Sequence, residues 1–134
     1  MGNVVKMDQR ILVVDDENDL RMLMAERLGM EGYNVTEAAR VKEAVKMLSQ
    51  TDYDLMLLDV RLPDGTGLDV LKYMRESGKN FPVIMLTGTT GLDIAVESVR
   101  LGARDYVTKP AKLSYLLHSI REILTGENHE ADPQ

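Results

Sequence analysis

The 134-residue chain contains no cysteine. It therefore has no disulfide framework and no thiolate metal centre, which agrees with an intracellular setting. It also lacks a basic excess: 16 lysines and arginines stand against 22 aspartates and glutamates, for a formal net charge of -6. That balance excludes direct binding of nucleic acid through a basic surface of this chain alone. No apolar run approaches the roughly 20 residues that span a bilayer. The opening Met1-Gly2-Asn3-Val4-Val5-Lys6 has no apolar core of a signal peptide, and Lys6 stands where a myristoylation signal wants Ser or Thr. A cytoplasmic chain with no membrane contact is expected. What remains is 44% hydrophobic and 28% charged, like a soluble globular domain with a real core.

Four short apolar runs punctuate the chain: Ile11–Val14, Leu55–Leu58, Val83–Leu86 and the weaker Tyr106–Val107. Runs apolar on both faces suit strands buried on both faces, as in a parallel sheet. Tyr33–Ala38, with Val35 among polar neighbours, reads as an outer strand. Between the runs lie helical stripes: Leu20, Leu23, Met24 and Leu28; Val41, Ala44, Val45 and Leu48; Leu92, Ala95, Val96 and Val99; and Leu113, Leu116, Leu117, Ile120 and Leu124. Residues 67–77 match the pattern less well, with Leu68, Leu71 and Met74 inside. Gly32, Gly78 and Gly102 follow helical patterns and suit the left-handed closing position. Thr90-Gly91-Leu92-Asp93 reads as a capping box opening the fourth helix. Met24, Met56 and Met85 fall at core positions as gap-fillers. Strand-helix repeated five times predicts an α/β fold, a doubly wound five-stranded parallel sheet with five helices and right-handed crossovers. Residues 1–8 form an N-terminal arm, 9–125 the domain, and 126–134 a polar flexible tail or the start of a linker.

In an open parallel sheet, ligands bind beyond the carboxyl ends of the strands. Asp15 and Asp16 follow the first run, Asp59 the third strand, Thr87 the fourth and Lys109 the fifth. Three carboxylates brought together repel unless a cation or proton joins them, and Lys109 offsets only one charge. The set asks for a divalent ion, and hard oxygen ligands without His or Cys favour Mg²⁺ or Mn²⁺. Mg²⁺ keeps positions open for water or phosphate oxygens, so the constellation suits phosphoryl chemistry. A carboxylate can itself become an aspartyl phosphate; Asp59, after the most apolar strand, is the candidate nucleophile, with Thr87 and Lys109 holding the product's oxygens. Each residue alone has an ordinary structural reading. Asp16 can cap the first helix and Thr87 can end a strand; the joint placement at strand ends raises the functional reading above these.

These motifs resemble the receiver domains of bacterial two-component response regulators, from about residue 9 to residue 125. Asp15-Asp16 after Ile-Leu-Val-Val is similar to the family's metal-binding pair. Asp59, within Leu-Leu-Asp-Val-Arg-Leu-Pro and followed by Pro63 and Gly67, resembles the phosphoacceptor. The resemblance implies the strand order 2-1-3-4-5 of flavodoxin-like receivers, including the chemotaxis response regulator. It implies that the backbone carbonyl of Arg61 joins Asp15, Asp16 and Asp59 on the metal, that Thr87 is the switch hydroxyl and Tyr106 the switch aromatic, that Lys109 binds the phosphoryl group, and that the Lys109–Pro110 bond is cis. A sensor histidine kinase would donate the phosphoryl group. The surface of the fourth helix, fifth strand and fifth helix would then control an output domain, an effector protein or pairing with a second copy. Gly88 departs from the Ala more usual there. The segment Gly102–Ala111 is similar to receivers of transcriptional regulators, which leans toward a regulator whose output half lies outside this chain.

Two other classes compete. A haloacid-dehalogenase-like phosphatase also uses an Asp nucleophile and Mg²⁺, but wants a second Asp two residues on, where this chain has Arg61. A phosphate-independent binding module of the same fold would lack an acid or the lysine, and all are present. A nucleotide site is excluded by the lack of G-x-G-x-x-G after the first strand.

Overall fold

The computed structural model describes residues 8–88 and 92–126. In chain order they form β1 (Arg10–Val14), α1 (Asn18–Met30), β2 (Asn34–Ala38), α2 (Val41–Gln50), β3 (Leu55–Asp59), α3 (Gly67–Glu76), β4 (Val83–Thr87), α4 (Leu92–Arg100), β5 (Asp105–Thr108) and α5 (Leu113–Thr125). The five strands make one parallel sheet in the order β2-β1-β3-β4-β5. This is the doubly wound α/β fold expected from the strand-helix alternation.

The two faces of the sheet are filled by alternate residues of the same strands, because side chains alternate along a strand. Leu12, Val14, Met56, Leu58, Val83 and Met85 pack with α2 and α3 through Ala44, Leu48, Val70, Leu71 and Met74. Ile11, Val13, Leu55, Leu57, Ile84 and Leu86 pack on the opposite face with Met24 and Leu28 of α1 and Leu116 and Ile120 of α5. Every residue of β3 and β4 is buried. Each fully buried aliphatic side chain contributes about 1.5–3 kcal/mol relative to an exposed one, so the central strands anchor the molecule. β2 and β5, at the edges, are only partly covered.

The α1 stripe read from the sequence faces the core except at Leu23, which is exposed, and the α4 stripe is rotated. On α4 Val96 and Val99 face outward, while Ser98 is wholly buried and Ile94 packs against the core. Ser98 tolerates this because its Oγ donates to the Ile94 carbonyl at 2.7 Å within its own helix. Met24, Met56 and Met85 are core residues as expected, and Gly32, Gly78 and Gly102 have positive φ. The expected capping box at Thr90 lies outside the described residues, as do the arm over residues 1–7 and the tail over 127–134.

The loop after β3 is stiffened before it reaches α3. Arg61–Leu62 and Gly65–Thr66 pair as a two-residue antiparallel ribbon. Asp64, at its tip, accepts hydrogen bonds from the backbone N–H groups of Val41 (2.7 Å) and Lys42 (3.0 Å) and so caps α2 from another segment. Loss of hydration works against the Asp64 charge, but the Lys42 and Val41 N–H groups outweigh it and hold the carboxyl below its usual range. A carboxyl with a depressed folded pKa adds stability above its unfolded pKa, and the gain is lost as pH falls through the folded value. Asp64→Ala therefore lowers the urea midpoint at neutral pH, and the difference closes below about pH 4. A gap that stays constant down to acid pH would show that the charge of Asp64 plays no part.

Candidate functional site

Parallel strands deliver their last residues to one edge of the sheet, and that edge carries the chemistry-bearing side chains. Asp15 and Asp16 directly follow β1, Asp59 ends β3 and Thr87 ends β4. Lys109 follows β5, and its backbone N–H donates to the Thr87 carbonyl at 2.7 Å, which ties the fifth strand's exit to the fourth's. The Lys109–Pro110 peptide is cis.

Carboxylate oxygens of Asp15, Asp16 and Asp59 all lie within 4.8 Å of one another. Asp15 is wholly buried and Asp59 is 5% exposed, whereas Asp16 is exposed. Lys109 Nζ donates to Asp15 Oδ2 at 2.9 Å, Glu17 Oε1 at 3.0 Å and Asp59 Oδ2 at 3.1 Å. Asp15 is further fixed: its Oδ1 accepts the Glu17 backbone N–H at 2.8 Å, and its own carbonyl accepts from Arg21 at 2.9 Å. Asp59 Oδ1 accepts the Arg61 backbone N–H at 3.2 Å. Thr87 is buried, 2% exposed.

Charge and burial oppose each other here. Burial pushes the Asp59 carboxyl above its usual range; the Lys109 hydrogen bond and charge pull it down, the nearby Asp15 pushes it up, and the Arg61 N–H pulls it down. Burial would favour a neutral Lys109, but Asp15, Glu17 and Asp59 override it and hold the ammonium well above its ordinary pKa. The lysine is thus a permanent cation, and the buried carboxylates keep an unmet demand for positive charge. An all-oxygen, carboxylate-rich donor set with a ligating triangle of this size fits Mg²⁺ or Mn²⁺.

The structure brings together Asp15, Asp16, Asp59 and Lys109 and sets Thr87 at the neighbouring strand end. Tyr106 lies on β5, paired in register with Met85, and packs partly buried against the core beside α4. Its hydroxyl is buried and has no hydrogen-bond partner among the described residues. Arg61 lies in the ribbon after Asp59 with an exposed side chain. Sequence reasoning missed Glu17 as a third acid on Lys109. Its adjacency to the Asp15-Asp16 pair was visible, but a lone acid there also reads as ordinary helix-start chemistry. Beside the acids, Glu17 and Lys109 open onto an otherwise apolar groove of about 450 Å³ between α1 and α5, lined by Leu20, Met24, Pro110 and Leu116 among others.

Comparison with known proteins agrees with this geometry. The family described as "Response regulator receiver domain" matches residues 11–121. Response regulator protein PilR of Pseudomonas aeruginosa is 40% identical over 124 residues, covering 92% of this chain and 28% of that protein. The chain spans about half or less of the length of the first regulators it matches. A CheY-like response regulator receiver domain protein from Methanospirillum hungatei superposes with a TM-score of 0.84 at 33% identity, over 92% of this chain and 98% of that one. Response regulator protein TrrA of Thermotoga maritima, solved in complex with Mg²⁺-BeF, gives a TM-score of 0.77 at 34% identity, over 87% of this chain and 99% of that one. Family match, fold and strand-end chemistry converge, and the chain belongs to the response regulator receiver domains of two-component systems.

Proposed function

We propose that the domain is a phosphorylatable switch that accepts a phosphoryl group on Asp59. The observation that carries this reading is the Lys109 ammonium spanning Asp15 and Asp59 within a cluster of three carboxylates. The donor is a phosphohistidine of a sensor kinase or a small acyl phosphate. An Asp59 carboxylate oxygen forms the new bond to phosphorus as the bond to the donor's nitrogen or oxygen breaks, and the electron pair leaves with the donor. Asp15, Asp16, Asp59 and the Arg61 carbonyl would hold Mg²⁺, which would supply positive charge to the phosphoryl oxygens. Lys109 and the Thr87 hydroxyl bind those oxygens by charge and hydrogen bond. The domain catalyses only its own phosphorylation and dephosphorylation. It works inside the cell on an output domain, a separate effector or a second copy of itself.

The response follows from the anion. A phosphoryl group on Asp59 draws the Thr87 hydroxyl toward it. Tyr106, whose buried hydroxyl has no hydrogen-bond partner among the described residues, repacks in answer, and the face of α4, β5 and α5 changes. A ligand shifts such an equilibrium only by its differential affinity for the two states. The test is incubation with Mg²⁺ and acetyl phosphate followed by mass spectrometry and NMR. Wild type gains one base-labile phosphoryl group only when Mg²⁺ is present, with shift changes through residues 92–120. Thr87→Ala takes up phosphate but shows a much weaker response over those residues. Absence of an adduct on wild type overturns the proposed chemistry, and a full response in Thr87→Ala overturns the coupling.

A further inference from the structure

The ammonium of Lys109 has three N–H donors, and each is committed to a different carboxylate: Asp15 at 2.9 Å, Glu17 at 3.0 Å and Asp59 at 3.1 Å. The three partners are not equivalent. The side chain of Asp15 is 0% exposed and that of Asp59 is 7% exposed, but that of Glu17 is 62% exposed. Asp15 is also pinned by the Glu17 backbone N–H. Glu17 sits at the N-cap of α1, yet its side chain makes no capping hydrogen bond. Its carboxylate is held in the described structure by Lys109 alone.

We propose that Glu17 is a positioning residue that occupies one Lys109 donor in the unphosphorylated domain and yields it to a phosphoryl oxygen when Asp59 is modified. This rests on the reading of Asp59 as phosphoacceptor. The physical ground is asymmetric cost. Releasing a mostly hydrated carboxylate returns it to water at little expense. Releasing Asp15 would leave a buried charge unpaired. The exposed pair is therefore the exchangeable one. Until it exchanges, the Glu17 charge both competes for the lysine and repels an approaching anionic donor.

Two consequences separate this role from a structural one. Glu17→Gln removes the charge but keeps an acceptor oxygen, and Glu17→Ala removes both. Because exposed ion pairs contribute about 0.2–1 kcal/mol, both variants take up phosphate from acetyl phosphate about 1.4- to fivefold faster than wild type at low ionic strength. The gain appears mainly as a lower half-saturating donor concentration. It shrinks as salt is raised and is smaller with phosphoramidate, which carries less negative charge. The pair is exposed on the Glu17 side, so the urea midpoint in chelator changes by no more than an exposed ion pair contributes.

The experiment is a time course of adduct formation by mass spectrometry for wild type, Glu17→Gln and Glu17→Ala, with both donors at low and high salt. The ¹⁵N signal of the Lys109 ammonium is followed in parallel. Faster, salt-sensitive uptake together with a shifted Lys109 signal supports the exchange. Equal rates, slower rates, or a rate change indifferent to salt and donor charge overturn it. Failure of wild type itself to form an adduct instead removes the phosphoacceptor reading beneath it.

Discussion

In chelator, Asp59→Asn unfolds at a higher urea concentration than wild type, and it gains no phosphoryl group from acetyl phosphate. Its side chain faces carboxylates of Asp15 and Asp16 with ligand atoms within 4.8 Å. Like charges at that range repel by about 3 kcal/mol per pair at an effective dielectric of about 20. Lys109 offsets part of this. Burial nonetheless leaves the Asp59 carboxyl above its usual range. The sign follows from linkage: a folded pKa above the unfolded one means the ionised native site loses stability as pH rises through the unfolded and then the folded value. At neutral pH that loss is in full effect, and an uncharged amide removes it. The amide oxygen can still accept the Arg61 N–H, and Lys109 retains Asp15 and Glu17. The expected gain is about 1 kcal/mol, after discounting for the lost lysine contact.

Magnesium reverses the ranking. An ion that binds the folded site and not the unfolded chain stabilises by mass action, about 1.4 kcal/mol at ten times its dissociation constant. Wild type should gain this, and the double variant Asp15→Asn with Asp16→Asn should lose most of it. Urea unfolding of the three proteins, in chelator and in Mg²⁺, reads both effects. A double variant stabilised by Mg²⁺ as fully as wild type would place the ion elsewhere and remove the foundation of the phosphotransfer reading.

Gly67→Ala destabilises the domain by about 1–3 kcal/mol, the usual cost of forcing one methyl group into a filled space. A Cβ on Gly67 would lie 2.5 Å from the Asp59 carbonyl oxygen and 3.1 Å from both Leu58 Cγ and Met85 Cε. The first neighbour is backbone and cannot swing aside. The Gly67 N–H also donates to the Val60 carbonyl at 2.8 Å, so α3 begins almost in contact with the chain carrying Asp59. Relief requires α3 and β3 to part, and the thermal midpoint should fall by about 3–6 °C per kcal/mol for a domain of this size. Gly88→Ala is the control, because a Cβ there meets nothing within 4 Å. Equal stability of the two variants would mean that the α3–β3 junction relaxes freely.

The central sheet was legible because β1, β3 and β4 must be apolar on both faces, a pattern that few other local structures require. The site was legible for a related reason: a parallel sheet sends successive strand ends to one edge, so Asp15, Asp16, Asp59, Thr87 and Lys109 could be gathered without coordinates. Helix orientation was less so. Periodicity identifies a stripe but not its rotation about the helix axis. The α4 stripe runs through Val96 and Val99, which face outward, whereas the buried side includes Ser98, a polar residue satisfied within its own helix. Glu17 escaped notice because its role depends on the distance from α1 to the end of β5, which no local pattern encodes.

Ser98 has a further consequence for how α4 lives on the sheet. A helix seated on a hydroxyl buries less oily surface than one seated on leucine, and this hydroxyl needs nothing from the strands. Lifting the helix therefore leaves the Ser98 hydroxyl still paired. Its outward valines already meet water, so they add no new exposure when it moves. Deuterium should accordingly enter the amides of Ala95–Arg100 through shallow local openings. The amides of β3 and β4, locked between two filled faces, should exchange only when the whole molecule unfolds.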